Sequence, residues 1–141
     1  MLLPKDEICL ETYGSCLGQQ RKRRISMLDT GIKGYQEMIV TAEDTAKVHK
    51  SGTLQVLATP RMAALMEETA WKSVADHLDP AMGTVGIRLE LDHLAPTPVG
   101  MRVQCESVLE HIEGRKLTFS IIAKDEKGEI GKAVHQRFIV E

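Results

Sequence analysis

Two side chains that can do chemistry sit where apolar ones are expected. On a helical wheel Glu67 falls among Ala63, Trp71, Val74 and Leu78, about 100° away from its neighbour Glu68. A buried carboxylate without a partner is costly and tends to become neutral, so it is seldom kept without a partner or a task. His93 closes an alternating stretch in which Ile87, Leu89, Leu91 and His93 share one face, while Arg88, Glu90 and Asp92 share the other. A carboxylate in an apolar setting can serve as general base or nucleophile, and an imidazole can carry the proton. Either residue alone has a bland reading, Glu67 as a partner of a distant arginine and His93 as a hydrogen-bonded core residue. Two independent periodicities that set both on surfaces expected to meet argue for a site.

The elements that must position this pair are legible around it. A helix is expected from Pro60 to Leu78, roughly 28 Å long, with Thr59 as N-cap and Pro60 at the first helical position. Arg61, Glu68, Lys72 and Asp76 form a narrow solvated stripe, with Glu68 and Lys72 spaced as an i,i+4 ion pair. Met62, Leu65, Met66 and Ala70 occupy most of the remaining circumference. A helix apolar nearly all round must be covered on more than one side, and one small sheet cannot do that, so a homodimer or higher homo-oligomer is expected.

A first strand is expected at 35–41, then a polar segment 42–53 that reads as a loop or short helical turn, able to act as a lid, with His49 an ordinary surface residue. After strand 84–93 the two prolines of Ala95-Pro96-Thr97-Pro98-Val99-Gly100 mark a turn. Strands follow at 101–111, 116–124 and 130–140, separated by short glycine-containing turns that imply antiparallel hairpins. One long helix with such strands is an α+β arrangement.

With 141 residues and 43% hydrophobic content the chain fits one domain, placed at 27–141. Residues 1–26 lack a clear period and end in the basic run Arg21-Lys22-Arg23-Arg24, which reads as a solvated tail or as an artefact of start-site choice ahead of Met27. A net charge of −2 argues against general nucleic-acid binding, and no apolar run approaches the roughly 20 residues of a membrane span. Cys9, Cys16 and Cys105 form neither a metal spacing nor an even disulfide set, so a reducing cytoplasm is the expected compartment. With no metal constellation and no phosphate-binding glycine loop, neither metal nor cofactor is expected.

Val56-Leu57-Ala58-Thr59, Met62, Leu65-Met66-Glu67, Thr84-Val85-Gly86, His93, Ala95 with Thr97-Pro98 and Gly100, and Glu129-Ile130-Gly131 with His135 and Arg137 together resemble the fluoroacetyl-CoA-specific thioesterase family. The resemblance covers roughly residues 33–140. It implies a hot-dog fold, an antiparallel sheet of about five strands wrapped around one long central helix, dimerising edge to edge with active sites between subunits. It also implies Thr59, Glu67 and His93 as catalytic residues, a glycine role for Gly86, and an acyl-CoA substrate. Arg137 matches the pattern without an assigned role. Where the founding member has an aromatic gate, this chain has Thr53, so the wider reading is taken: hydrolysis of a short or small acyl-CoA thioester.

In that chemistry Glu67 activates water or attacks the carbonyl to give a mixed anhydride, His93 shuttles a proton, Thr59 positions the carboxylate or the water, and Gly86 lets backbone approach the thioester. Arg88, Arg102, Arg115, Lys116 and Arg137 are candidates for the CoA phosphates. Two competing readings are a non-catalytic acyl-CoA-binding module and a hot-dog hydratase or dehydratase. The second is disfavoured because Asp92 and His93 should point to opposite faces.

Overall fold

Side-chain alternation is clearest in the C-terminal half, and there it builds most of the sheet. In the computed structural model, which describes residues 28–141, strands β3 (Arg102–Glu113), β4 (Lys116–Asp125) and β5 (Gly128–Val140) form two consecutive antiparallel hairpins. The N-terminal extension, its basic run and Met27 lie outside the described residues. Gly114 turns the first hairpin with φ +63°, a left-handed conformation that glycine adopts without a Cβ penalty. Inward-facing Val103, Cys105, Ser107, Leu109, Leu117, Phe119, Ile121 and Ile139 are fully buried, and the residues between them are exposed or half-buried.

Strand β1 (Lys33–Ile39) adds to the outer edge of β3, and β2 (Gly83–His93) to the outer edge of β5. The order is β1-β3-β4-β5-β2 with every pair antiparallel, so the described strands form one five-stranded sheet with β2 at its edge. Helix α2 (Thr59–Ala75), preceded by the short α1 (Ala46–His49), packs across one face of the sheet and buries Met62, Leu65, Met66, Thr69, Ala70 and Val74. This is the α+β arrangement read from the element pattern, and the hot-dog fold that the family resemblance implies.

Several boundaries differ from the expectation, each for a local reason. The helix stops at Ala75 rather than Leu78, because the chain tightens there: His77 N–H donates to Val74 and Leu78 N–H to Ala75. Its N-cap is Ala58, with no side-chain cap; Thr59 already lies inside the helix and its hydroxyl is used elsewhere. Trp71, expected on a buried arc, is 42% exposed with Lys72 Nζ over its ring. Segment 42–53 contains a 3-10 turn, Ala42–Asp44, before α1.

The change that matters most is in β2. The register with β5 slips between Gly86 and Arg88, leaving Ile87 as the extra residue of a β-bulge and 50% exposed, not on the inner face as alternation predicted. Side chains alternate with period 2, so in a regular strand residues 86 and 93 would face opposite ways. One inserted residue restores the phase. Thr84 and Gly86 face the helix before the bulge, and Leu89, Leu91 and His93 face it afterwards.

Candidate active site

The start of α2 is held by a set of ties that reach every neighbouring loop. Leu57 N–H donates to the Thr97 carbonyl at 2.8 Å, and the buried Thr97 hydroxyl donates to Asp125 at 2.8 Å. Ala58 N–H donates to the Asp44 carbonyl at 2.9 Å, and Arg61 Nε pairs with the Asp44 carboxylate at 2.9 Å. Burial alone would raise the Asp44 pKa, but hydrogen bonds from Thr41 and Arg61 outweigh it and hold the group below its usual range.

This anchored turn presents Thr59 to the end of β2. Thr59 Oγ1 lies 2.7 Å from His93 Nδ1, a contact between residues 34 apart in the chain. A threonine hydroxyl can donate to Nδ1 when the imidazole proton sits on Nε2. Burial lowers the His93 pKa, with the nearby Ala95 backbone opposing the shift, so the ring is favoured as a neutral base.

Two turns further along α2, Glu67 is half-buried and faces a different part of β2. A Cβ on Gly86 would lie 3.4 Å from Glu67 Oε2, 3.3 Å from Arg137 Nη1 and 3.3 Å from His135 Cε1. The missing side chain therefore leaves a slot whose walls are a carboxylate, a guanidinium and an imidazole. Arg137 is buried and firmly held: Nε donates to Thr84 Oγ1 at 2.7 Å, Nη2 to the Thr84 carbonyl at 2.9 Å, and Nη1 to His135 Nε2 at 3.1 Å. Burial lowers the pKa of both residues; the Glu67 charge opposes this for Arg137, and the Arg88 carbonyl and Glu67 oppose it for His135.

The sequence-predicted residues thus fall into two groups. Thr59 and His93 touch, and Glu67, Gly86 and Arg137 converge, but within one chain the groups are separate. Eight residues along a helix span about 12 Å, and seven along a strand about 20 Å. Within one chain, therefore, the two groups sit toward opposite ends of β2.

Sequence reasoning gave no role to His135 or Thr84, although a signal for the first existed. His135, Arg137 and Ile139 share the inner phase of β5, so a polar pair interrupts an apolar row there. Of the basic residues considered for phosphate contacts, Arg88 pairs with Glu90 on the outer face, Lys116 with Glu113, and Arg102 with Glu37. Arg115 donates to the Ile139 carbonyl at 3.3 Å. The described residues include no cluster of three or more His, Cys, Asp or Glu able to hold a metal, and no helix among them is long and apolar enough to cross a membrane.

Comparison with known proteins gives a consistent result. The family model of the fluoroacetyl-CoA-specific thioesterases matches residues 40–141. A fluoroacetyl-CoA thioesterase from Streptantibioticus cattleyicolor is 35% identical over 86 residues, which is 61% of this chain and 62% of the relative's length. Among solved structures, a point variant of a fluoroacetyl-CoA-specific thioesterase in complex with fluoroacetate and CoA superposes with TM-score 0.75 at 28% identity, over 80% of this chain and 95% of that one. A thioesterase superfamily member from Thermus thermophilus gives TM-score 0.74 at 29% identity, over 79% of this chain and 83% of the other.

Proposed function

The chain belongs to the fluoroacetyl-CoA-specific thioesterase family, and from that premise we propose that it is an acyl-CoA thioesterase whose catalytic unit is completed by two copies of the chain. The observation that carries this reading is the Thr59–His93 hydrogen bond at 2.7 Å, a hydroxyl and a neutral imidazole joined where the family resemblance puts catalytic residues. Glu67 supplies the carboxylate, as general base on water or as the nucleophile, and Thr59 with His93 carries the proton. Thiolate is a good leaving group, so no strong acid is needed. Arg137 and the backbone at Gly86 provide the positive, close-approach surface on which a developing oxyanion can rest.

A homodimer resolves the separation of the two groups. β2 is an edge strand, and its Val85 and Ile87 are 47% and 50% exposed. Trp71, on the same side of the helix as Glu67, is exposed as well. An isologous contact between two β2 edges runs antiparallel. With its two-fold axis midway between Gly86 and His93, the Thr59–His93 pair of one protomer meets the partner's Glu67 and Gly86. The missing aromatic at Thr53 favours short or small acyl groups in general over selection for a fluorinated one. The enzyme is expected to work in the cytoplasm, without metal or cofactor.

The test uses two inactive variants, Glu67→Ala and His93→Ala, co-expressed with different tags and purified as the heterodimer. One of its two sites then has both residues replaced and the other is intact, so it should show about half of wild-type thiol release from a panel of short and branched acyl-CoAs. A heterodimer as inactive as its parents would overturn the shared site. Wild-type protein that binds these thioesters without turnover would overturn the enzyme and favour an acyl-binding module.

A further inference from the structure

His135 is the largest polar side chain in the described core that the proposed chemistry leaves without a task, and it is 0% exposed. Its ring is gripped at both nitrogens: Nδ1 lies 2.8 Å from the Arg88 carbonyl, and Nε2 lies 3.1 Å from Arg137 Nη1. A carbonyl oxygen can only accept and a guanidinium can only donate. The imidazole must therefore carry its proton on Nδ1 and offer the Nε2 lone pair to Arg137. An imidazolium would turn a second N–H against the guanidinium, with both groups positively charged.

We infer that His135 is a positioning residue: as the neutral Nδ1–H tautomer it ties the Arg137 guanidinium to the β2 bulge and so fixes the Gly86 slot. Arg137 has five N–H groups, of which one goes to His135 and two to Thr84, leaving one on each terminal nitrogen. With the guanidinium plane locked, Nη1 stays at the slot, 3.3 Å from the point a Gly86 Cβ would occupy. Arg88, whose carbonyl receives the Nδ1 proton, is the first residue after the bulge, so one ring joins the irregular turn of β2 to the group that faces substrate. The charged groups that face the ring are Arg137 on its own strand and Glu67 on α2; Phe119 on β4 contributes only its ring. The Glu67 charge favours protonation, while burial and Arg137 oppose it.

Two substitutions separate the two nitrogens. His135→Gln keeps an acceptor near the Nε2 position and loses the tie to Arg88. His135→Asn keeps a donor near the Nδ1 position and loses the tie to Arg137. The kinetic arm rests on the thioesterase reading; the spectroscopic arm does not. In nitrogen-15 NMR of the full-length protein at neutral pH, His135 should show the proton on Nδ1. Exchange of the Arg137 guanidinium protons should be faster in His135→Asn than in His135→Gln. In thioester hydrolysis, His135→Asn should lose about tenfold or more in kcat/KM and His135→Gln about threefold or less. A proton on Nε2 or an imidazolium would overturn the inference. So would losses in the two variants that simply follow their losses in Tm. If the wild type hydrolyses no thioester, the proposed function falls, while tautomer and exchange still decide the role of His135.

Discussion

Replacing Gly86 with alanine separates the site from the fold. The new methyl carbon would lie 3.3 Å from Arg137 Nη1, 3.3 Å from His135 Cε1 and 3.4 Å from Glu67 Oε2, each tight for a carbon contact. The two tighter contacts are to held groups, His135 at both nitrogens and Arg137 by three hydrogen bonds, so these must give by a few tenths of an ångström. Mild overpacking costs about 1 kcal/mol at the low end of its range. Restricting the unfolded chain by glycine-to-alanine returns about 0.4–1 kcal/mol. The two nearly cancel, so Tm should move by no more than a few degrees. Activity should not be spared, because the methyl takes the space over which a thioester carbonyl would approach. Displacing a reacting group by about 1 Å costs on the order of 100-fold, so kcat/KM should fall by about that factor, or about 2.7 kcal/mol. Thiol release followed with a chromogenic trap measures the rate, and thermal unfolding the stability. A variant that keeps kcat/KM within about threefold, with Tm unchanged, would show that substrate does not enter the Gly86 slot and would refute this placement of the reaction.

Other substitutions probe the anchors. Because Ala58 is the N-cap, Thr59→Val should change stability by less than about 0.5 kcal/mol, not the ~1 kcal/mol of a lost cap, while turnover drops about 100-fold; equal losses of both would return Thr59 to a capping role. Thr97→Val removes the buried donor to Asp125 and should cost about 1.5–3 kcal/mol in denaturant unfolding, since the remaining carboxylate loses a charged hydrogen bond. His93 and His135 both have pKa values lowered from 6.5, chiefly by burial. Their neutral forms stabilise the fold above the unfolded value of about 6.5, and that contribution is lost as pH falls through the folded values. Unfolding free energy should therefore decline below about pH 6.5, and less so in His135→Gln; a flat profile between pH 7 and 5 would contradict the burial assignments.

How much of this was legible depended on where the period of the chain is unbroken. In β4, Leu117, Phe119, Ile121 and Ala123 alternate without interruption, and the strand, its inward face and its hairpins follow from that pattern alone. Thr59-Pro60 marked the helix start correctly to one residue, but the side-chain cap inferred for Thr59 was wrong. A hydroxyl at that position can serve the backbone or a distant imidazole, and only the fold brings His93 to it. Pairwise geometry was least legible. Alternation from Ile87 to His93 assigns His93 correctly and Ile87 incorrectly, because one extra residue shifts the phase without leaving a pattern of its own.

That same bulge determines what the site can be. Without it, Gly86 and His93 would lie on opposite faces of β2, and no symmetric pairing of two sheets could bring both into a single cleft. With it, both face the helix from one strand, their backbone positions set apart by about 20 Å. In the proposed dimer, a two-fold axis between them would bring each to the other's counterpart. On that proposal Glu67, Gly86 and Arg137, held in place by His135, would form one half of a reaction centre, and Thr59 with His93 the other. Half activity in a mixed dimer is the outcome this proposal requires, and a site built within one chain would instead leave that dimer inactive.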